Sequence, residues 1–440
     1  MSCESLPKGY KTTKVGAIPK EWRDGMISDL FRVVTGTTPS TSLPDYWEDG
    51  THIWVTPADL SSNNGQVYIL NCERKITDLA VRDYNLSCLP MGSIIVSTRA
   101  PVGYVALNRK EAYINQGCKG LIPKGETSGT EVYYYYYLKS KTSELTRMSG
   151  GSTFKELSKK SLEQFPVPIP QDYECRPIGT ILSTVDAAIA ATDEVIAKTE
   201  ELKRGLMQDL LTKGIDEVGR VRSEETHTFC GNKVCSETLK FPESWKFKNM
   251  GDVITLKRGY DLPSDERVAG GVPVISSSGV SGYHQEAKVC GPGVVTGRYG
   301  TLGEVFFIER DFWPLNTTLY VCNFKDNDPK FISYFLKLRL ATYQSDALSI
   351  PGINRNFVHR LPCAVPPLPE QRRIAAILST IDRDLAAELE HRAHLQTLKK
   401  GLMQALLTGR KRVPLNGAGG AACPGSQSVT TCAPPEESHP

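Results

Sequence analysis

The chain of 440 residues lacks the sequence signals of most enzyme classes and of membrane insertion. It has no GxxxxGK[ST] phosphate loop, no GxGxxG segment opening a helix, no HExxH, no GxSxG and no Asn-Pro-Pro-aromatic motif of the amino-methyltransferases. No apolar run is long enough to span a bilayer, and the first 20 residues do not resemble a signal peptide. These absences favour a binding function over catalysis, and we expect a non-enzyme in the cytoplasm, associated with the nucleoid.

Paired cysteines and a strong excess of one charge are lacking as well. The 12 cysteines are scattered singly without a CxxC pair, which is typical of a reducing compartment. His227, Cys230 and Cys235 are close in sequence, but no fourth ligand is evident, so we expect loop residues and no metal site. The net charge of +3 neither requires nor excludes a nucleic-acid partner.

The feature that is present is a duplication. Residues 181–186, ILSTVD, return as ILSTID at 377–382, an offset of 196 (377 − 181), and residues 178–213 share 19 of 36 positions with residues 374–409. Two copies with a long period indicate a duplicated module and not a solenoid of short repeats. A protein made of two halves suits a partner with two halves, and double-stranded DNA with a two-part site is the obvious candidate.

Both copies have the pattern of a long helix. Apolar residues recur at helical spacing from Ile178 through Leu182 and Val185 to Leu210, between a proline-rich segment at 166–170 and Gly214. Each helix should have about 38 residues and a length of about 57 Å. The matching apolar stripes predict that the two helices pack on each other as an antiparallel coiled coil. The alternative is that each helix packs on its own domain.

A region of mixed strand and loop character precedes each helix, and the two regions also correspond. Trp22 matches Trp245 and Gly36 matches Gly259, both at an offset of 223. We therefore predict an α+β protein with two mixed α/β domains, two long helices and a pseudo-two-fold duplication. The expected boundaries are a first domain at 10–170, a first helix at 171–214, a second domain at 215–366 with a linker at 215–240, a second helix at 367–410 and a disordered tail at 411–440.

Polar residues beside predicted strands are the candidates for contact with nucleic acid. Arg99 and Arg298 follow apolar strands at corresponding places in the two halves, and a guanidinium there could pair with the N7/O6 edge of guanine, clamp a phosphate, or bridge strands inside its own domain. The amides and hydroxyls near Asn115 and Asn316 could read bases or cap turns. The tyrosines at 133–137 should be mostly buried, with at most one or two reaching a groove. The full set of DNA-binding candidates is Thr98, Arg99, Asn115, Gln116, Lys119, Arg258, Ser276, Ser278, Tyr283, Arg298, Asn316 and Thr317.

Several of these motifs together resemble one family. They are the paired ILST(V/I)D segments, the paired GLMQxLLT helix ends, PPLPEQ at 366–371 and the segment GAIPKEW at 16–22. From about residue 10 to 410 the chain resembles the specificity (S) subunits of type I restriction–modification systems. The first copy departs from the pattern, because QDYEC stands at 171–175 where the second copy has PLPEQ.

The resemblance implies a sequence-specific DNA-recognition subunit without catalytic residues. Two target-recognition domains would each read one half of a bipartite site, with the helices as a ruler that also docks two methyltransferase (M) subunits, while two restriction/translocase (R) subunits complete the complex. S-adenosylmethionine, ATP and Mg²⁺ would belong to those partners, with no cofactor in this chain. The candidate docking residues on the helices are Leu182, Val185, Leu206, Met207, Leu210, Leu378, Ile381, Leu402, Met403 and Leu406.

Two other interpretations remain open from the residues alone. The chain could be the specificity portion of a split or degenerate nuclease–methyltransferase, in which case it would act on DNA with cofactor. It could also be a coiled-coil scaffold whose domains bind something other than DNA. Duplex binding with a steep salt dependence would separate the DNA-binding interpretations from the scaffold.

Overall fold

The computed structural model describes residues 8–63, 65–125, 129–150, 156–225, 227–234, 237–298, 304–346 and 353–413. The chain divides into two compact units. Unit 1 comprises residues 1–190 and 394–440, and unit 2 comprises residues 191–393. The division runs through both long helices, so each unit contains part of each helix, whereas our boundaries treated the helices as separate segments.

Unit 1 contains twelve strands among its described residues. They are β1 (Tyr10–Thr13), β2 (Gly16–Pro19), β3 (Arg23–Met26), β4 (Phe31–Thr35), β5 (His52–Val55), β6 (Tyr68–Ile69), β7 (Lys75–Ile76), β8 (Ile94–Ser97), β9 (Val105–Asn108), β10 (Ala112–Ile114), β11 (Cys118–Pro123) and β12 (Pro166–Ile169). The helices are α1 (Ile27–Leu30), α2 (Pro57–Ser62), α3 (Asp78–Asp83), α4 (Glu131–Ser140), α5 (Thr142–Met148), α6 (Lys159–Glu163) and α7 (Asp172–Thr212), of which α7 passes into unit 2 after Ala190.

The main sheet of unit 1 has the strand order β4-β11-β8-β9-β6, and β10-β5-β7 form a smaller sheet. Helix α4 packs against the main sheet and brings the five consecutive tyrosines Tyr133, Tyr134, Tyr135, Tyr136 and Tyr137 into the core, each no more than 5% exposed. Burial on all sides of α4 is possible because sheet, α7 and the end of the second long helix surround it. None of these rings is exposed enough to stack on a base.

Unit 2 contains eleven strands among its described residues. They are β13 (Phe229–Val234), β14 (Glu237–Pro242), β15 (Lys246–Asn249), β16 (Thr255–Arg258), β17 (Val272–Ser276), β18 (Gly279–His284), β19 (Gly293–Gly297), β20 (Val305–Ile308), β21 (Trp313–Pro314), β22 (Thr318–Asn323) and β23 (Pro362–Val365). The helices are α8 (Met250–Val253), α9 (Pro329–Asp346), α10 (Arg355–Arg360) and α11 (Leu368–Leu406), of which α11 passes into unit 1 after Ala393.

Unit 2 repeats the framework of unit 1. Its main sheet has the order β16-β22-β19-β20, the same as β4-β11-β8-β9 in unit 1, and its smaller sheet is β18-β17-β21. Antiparallel pairing puts Gly297 opposite Thr318, as Ser97 is opposite Cys118. Helix α9 covers this sheet as α4 covers the other. The predicted α+β duplication is confirmed.

The two long helices pack on each other within each unit. In unit 1, Lys399 of α11 forms an ion pair with Asp186 of α7. In unit 2, Lys203 of α7 lies 2.5 Å from Asp382 of α11. The end of each helix therefore lies beside the first half of the other, which is the antiparallel arrangement predicted from the apolar stripes. The helices have 41 and 39 residues, or about 60 Å each at about 1.5 Å per residue.

Each long helix also contributes side chains to the hydrophobic cores of the units. The alternative interpretation, in which the helices pack on the globular domains, therefore holds together with the packing of helix on helix. Leu182 of α7 and Leu406 of α11 belong to the core of unit 1. Leu378 of α11 and Leu210 of α7 belong to the core of unit 2. The two packing arrangements are compatible because a helix of about 60 Å presents different turns to different neighbours.

Two predicted boundaries need correction. The linker expected at 215–240 contains strands, because β13 and β14 form an antiparallel hairpin that corresponds to β1 and β2 of unit 1. The disordered tail expected from residue 411 begins too early, since Arg412 is ion-paired with Glu174 at 2.6 Å. Residues 414–440 lie outside the described residues.

Candidate DNA-reading edges and helix-pair clusters

In unit 1, five of the candidate residues come together where β8 ends and β11 begins; this edge is called reading edge 1. The backbone N–H groups of Thr98 and Arg99 donate to the carbonyl of Gly117 at 2.7 and 3.2 Å. The N–H of Gly117 in turn donates to the side chain of Asn115 at 2.9 Å. These bonds hold the two chain segments side by side, so Thr98, Arg99, Asn115, Gln116 and Lys119 share one site.

The five side chains differ in their access to a partner. Thr98 is fully buried and Lys119 is 3% exposed, with the ammonium of Lys119 3.4 Å from both Thr98 Oγ1 and the carbonyl of Gln116. Gln116 is exposed and Asn115 half-buried. Arg99 has a side chain 48% exposed. Thr98 and Lys119 can support this edge but cannot contact a base in this conformation, because no surface of theirs is free.

Unit 2 has an equivalent site, called reading edge 2. The N–H of Arg298 donates to the carbonyl of Thr317 at 2.9 Å, and Arg258 Nε donates to the carbonyl of Asn316 at 3.2 Å. The side-chain amide of Asn316 donates to Asp261. Four of the candidates therefore lie together: Arg258 at the end of β16, Arg298 just after β19, and Asn316 and Thr317 between β21 and β22.

The other three candidates of unit 2 lie on the β17–β18 hairpin. Ser276 and Ser278 form a mutual hydrogen bond of 3.1 Å in the turn. Tyr283 is 51% exposed, and the Arg310 guanidinium lies 5.8 Å from its ring centre. The hairpin is tied to reading edge 2 through β17, because the N–H of Leu315 donates to the carbonyl of Ile275 at 2.9 Å.

The structure shifts the predicted correspondence of the two arginines by one residue. Sequence comparison aligned Arg99 with Arg298. In the sheets, however, Ser97 and Gly297 occupy equivalent positions, so Arg298 stands where unit 1 has Thr98. The hydrogen bonds from Leu157 to the carbonyl of Thr98 and from Ile353 to that of Arg298, both 2.9 Å, give the same register. The two edges thus present arginine from different positions.

The matched glycines Gly36 and Gly259 are explained by close approach of two backbone segments. A Cβ on Gly36 would lie 2.0 Å from the carbonyl oxygen of Asn115, and a Cβ on Gly259 would lie 2.2 Å from that of Leu315. Glycine is required because backbone atoms, unlike side-chain ends, cannot turn away. The glycines let the strand before each reading edge cross the segment that carries the candidate amide.

Each unit has a buried carboxylate at the start of a long helix, held by a tryptophan and an arginine. In unit 1, Glu174 is 2% exposed, accepts from Trp22 Nε1 at 2.7 Å and binds Arg412 Nε at 2.6 Å. The hydrogen bonds that Arg412 donates to Glu174 and Glu21, together with the negative charges of these two carboxylates, raise the pKa of its guanidinium. The cluster joins the N-terminal segment, the start of α7 and the segment after α11.

Unit 2 has the same cluster with the helices exchanged. Glu370, 4% exposed at the start of α11, binds Arg222 Nη1 at 2.6 Å and accepts from Trp245 Nε1 at 3.3 Å. The sequence comparison noted the tryptophans but missed the glutamates and arginines. The glutamates were detectable, since 174 and 370 are also separated by 196 residues. The arginines were not, since they stand at different distances beyond the helix ends.

A second pair of clusters joins the two helices to the covering helix of each unit. Tyr136 of α4 donates to Asp186 at 2.8 Å, and Asp186 is also paired with Lys399. Tyr334 of α9 donates to Asp382 at 2.5 Å, and Asp382 is paired with Lys203. Because each aspartate is held from both sides, these clusters fix the lengthwise position of one helix against the other.

The candidate docking residues on the helices are mostly used inside the units. Leu182, Leu210, Leu378 and Leu406 are at most 5% exposed and lie in the cores. The rest are half-buried; they are Val185, Leu206, Met207, Ile381, Leu402 and Met403.

The apolar side chains that α7 and α11 leave exposed are different ones. Leu202 is 57% exposed and Leu398 is 50% exposed, and the two are also 196 residues apart. Sequence reasoning passed over both, because they stand outside the apolar stripe that buries the helix.

The ends of the helices differ in how completely they are covered. In unit 1, Tyr137, Met403, Leu407, Lys399 and Lys400 line a cavity of about 550 Å³. At the equivalent place in unit 2 the cavity is only about 20 Å³. Larger residues fill it there, with Phe241 in place of Ile18 and Leu338 in place of Ser140.

Among the described residues, no group of three or more His, Cys, Asp or Glu side chains is placed to hold a metal ion. Of the three residues noted in the sequence, Cys230 is exposed, and Cys235 lies outside the described residues. In the part of the chain that the structure covers, no helix has the length and apolarity needed to cross a membrane.

Comparison with known proteins agrees with this architecture. A family model, the type I restriction modification DNA specificity domain, matches residues 19–201 and 242–399. The type I restriction enzyme MjaIX specificity subunit of Methanocaldococcus jannaschii is 34% identical over 257 residues, which cover 58% of this chain and 57% of that relative. The putative MjaX specificity subunit of the same organism is 22% identical over 441 residues, covering 92% and 97%. The chain thus spans little more than half of the first relative and nearly all of the second.

Solved structures show the same fold at lower identity. The S subunit of a type I restriction-modification system from M. genitalium has a TM-score of 0.61 and 16% identity, covering 88% of this chain and 96% of that one. A chain from a study of complex assembly in the type I R-M system has a TM-score of 0.50 and 15% identity, covering 89% and 99%. With the family model matching both halves, the chain belongs to the type I restriction–modification DNA specificity family and is a non-catalytic specificity subunit.

Proposed function

We propose that this chain reads a bipartite DNA target, with reading edge 1 on one half-site and reading edge 2 on the other. The observation that carries the proposal is that one structural framework occurs twice with different side chains at the same edge. Arg99 and Gln116 are exposed and Asn115 is half-buried in unit 1, where unit 2 has the half-buried Arg298 and Asn316 and the β17–β18 hairpin. Equal frameworks with unlike polar groups suit two half-sites of unlike sequence.

The outward groups have the chemistry for two kinds of DNA contact. Arginine pairs with guanine or phosphate, amides pair with adenine, and hydroxyls accept or donate to either. Arg258 and Lys257 are exposed on β16 beside reading edge 2, which adds positive charge suited to phosphates. Tyr283 and the serines of the hairpin extend this surface. Thr98 and Lys119 belong to the proposed site as supports beneath it.

The helix pair has the length expected of a ruler between two half-sites. Two major-groove sites on the same side of a duplex are separated by one helical turn, about 34 Å. Helices of about 60 Å are longer than that separation. The Tyr–Asp–Lys clusters on Asp186 and Asp382 support a fixed register between the helices, as a ruler requires. The spacer between half-sites would then depend on helix length and not on the reading edges.

We assign the docking of methyltransferase subunits to the exposed parts of the helices. Leu202 and Leu398 repeat at the same position of the duplication and are half or more exposed, as expected for two copies of one partner. In unit 1 the cavity lined by Met403 and Leu407 adds an apolar recess near the end of α11. Among the candidates from the sequence, the half-buried Leu402, Met403, Leu206 and Met207 remain part of this surface.

The rest of the proposed complex follows from the family. Two methyltransferase and two restriction/translocase subunits would bring S-adenosylmethionine, ATP and Mg²⁺, and the assembly would act in the cytoplasm on the nucleoid. The chain would hold the duplex while the partner flips the target adenine out of the stack. Its own residues would bind, orient and space the DNA.

A domain exchange tests the proposal. Replacing residues 25–150 by the corresponding segment of another specificity subunit should change one half of the methylated target and leave the other half and the spacer unchanged. Methylome sequencing of cells producing the hybrid with its methyltransferase measures this directly. A change in both halves would contradict independent reading. The absence of salt-dependent duplex binding would support a scaffold instead.

A further inference from the structure

Reading edge 1 contains a buried charge that its fold does not need. Lys119 lies on β11 between the buried Cys118 and Gly120, and it is 3% exposed. Burial lowers the pKa of its ammonium, and the nearby carboxylate of Glu156 opposes that shift. The ammonium lies 3.6 Å from Glu156 Oε1, and it donates to two uncharged oxygens, each at 3.4 Å. Removing a lysine from water is costly, so a reason is needed.

Stability of the sheet is not that reason. In unit 2 the equivalent strand position is Leu319, which is 2% exposed. The same sheet is therefore built with an apolar side chain at this place. A buried ion pair is generally no more stabilising than apolar residues of the same shape, so the pair should serve something other than folding.

The second oxygen of Glu156 shows what the pair acts on. Glu156 Oε2 accepts from Arg99 Nε at 3.1 Å. Among the described residues, neither terminal nitrogen of Arg99 makes a hydrogen bond, and the side chain is 48% exposed. The guanidinium is thus held by its inner nitrogen, while its outer pair of N–H groups is open to a partner. Lys119 holds one oxygen of the carboxylate and Arg99 the other.

We propose that Glu156, anchored by Lys119, is a positioning residue that orients Arg99 toward a guanine in the first half-site. This inference rests on the proposed DNA reading. Guanine presents N7 and O6 side by side in the major groove and pairs with two parallel N–H groups of one arginine. Such pairing needs a fixed guanidinium plane, whereas contact with a phosphate needs only positive charge. A bond to Nε from a held carboxylate fixes that plane.

At reading edge 2, an apolar side chain occupies the strand position of the buried lysine. By the sheet register, Leu319, which is 2% exposed, stands in unit 2 where unit 1 has Lys119. The effect of disturbing the network should therefore be confined to one half-site. The second half-site serves as an internal control in every measurement.

The test is methylome sequencing of cells that produce the full chain with its methyltransferase subunits. Arg99→Lys keeps the positive charge but loses the two parallel N–H groups that can pair with guanine. Glu156→Gln removes the carboxylate that Lys119 anchors. Both should relax the requirement for guanine at one position of the first half-site by about tenfold or more. A gel shift with a random duplex should show unchanged or higher affinity for Glu156→Gln, since a negative charge is lost.

A matched control is Glu163→Gln, which removes a carboxylate of similar exposure, 34% against 37%, from an ion pair on α6. It should leave every base preference unchanged. If Glu156→Gln lowers the melting temperature, Arg99→Lys at the exposed end of the network carries the test. If methylation falls equally at all sequences, Arg99 contacts a phosphate and the inference is wrong. Unchanged base preferences in both variants would also overturn it. A parent methylome without a two-part target would instead sink the proposed function.

Discussion

At the scale of single residues, two aspartates are held by groups from two different helices. Burial raises the pKa of Asp382, but the hydrogen bonds from Lys203 and Tyr334 and the charge of Lys203 outweigh burial, so its pKa is lowered. A carboxyl whose pKa is lowered by folding contributes stability above its ordinary pKa of about 4. That contribution is lost as the pH falls through the pKa of the folded state.

Asp382→Asn should therefore destabilise unit 2 by about 1–2 kcal/mol at pH 7, the value of one or two hydrogen bonds to a charged group. The difference from the parent should shrink below about pH 4, because the parent then loses the same charge. Denaturant midpoints measured from pH 3 to pH 8 would show this. Lys203→Met is the control, since the double variant should lose less than the two single losses combined. A difference independent of pH would contradict the assignment.

The matched glycines give a second residue-scale prediction. Gly36→Ala should cost about 1–3 kcal/mol, because its Cβ would meet the backbone of Asn115 and neither segment can turn away. Gly205→Ala should instead stabilise by about 1 kcal/mol, since Gly205 lies inside α7 with nothing within 4 Å of the added carbon. Thermal melts of the two variants would show opposite shifts. Shifts of the same sign would contradict this account of the close approach.

At the scale of elements, the segment after each long helix completes the unit in which the other long helix starts. Arg412 reaches Glu174 at the start of α7, and Arg222 reaches Glu370 at the start of α11. Unit 1 therefore needs residues from both ends of the chain. Glu174 is only 2% exposed, so its buried charge destabilises the folded state when the arginine partner is absent.

Truncation tests this dependence with a one-step control. A chain ending after Lys411 loses Arg412 and leaves Glu174 buried with Trp22 alone, which should cost about 2–3 kcal/mol after allowing for the exposed side of the arginine. A chain ending after Arg412 keeps the ion pair and, like the shorter chain, lacks Val413, which packs on the core of unit 1, so the difference between the two isolates Arg412. Differential scanning calorimetry would compare them. Equal melting of the two truncated chains would show that the cluster contributes nothing.

At the scale of the whole molecule, the proposed ruler means that helix length sets the spacer, while the reading edges set the bases of each half-site. Inserting one helical turn after Ala190 in α7 and one after Ala393 in α11 lengthens each helix by about 5.4 Å. This is comparable to one or two base pairs at about 3.4 Å each. The methylated target should keep both half-sites and gain a longer spacer. An insertion in α7 alone should abolish methylation, because it breaks the register between the Asp186 and Asp382 clusters. Altered half-sites, or an unchanged spacer with both insertions, would count against the ruler.

Much of this organisation was accessible from the amino-acid order. The repeat at 196 residues predicted two helices, and their matching apolar stripes predicted antiparallel packing, because periodicity is a local property of the chain. The family resemblance rested on the same segments. Burial of the tyrosines at 133–137 was mostly expected, although all five turned out to be covered.

Other features depended on which segments meet in space. The equivalence of Arg298 with Thr98 and the burial of Lys119 follow from strand register. The pairing of Arg99 with Glu156 depends on a segment 57 residues away. The ion pair between Glu174 and Arg412 joins residues 238 positions apart. The sequence alone determined the duplication and the long helices, because hydrophobic spacing is written along the chain. Only the tertiary structure decided which charges are paired and which face outward, because contacts between distant segments leave no periodic signal.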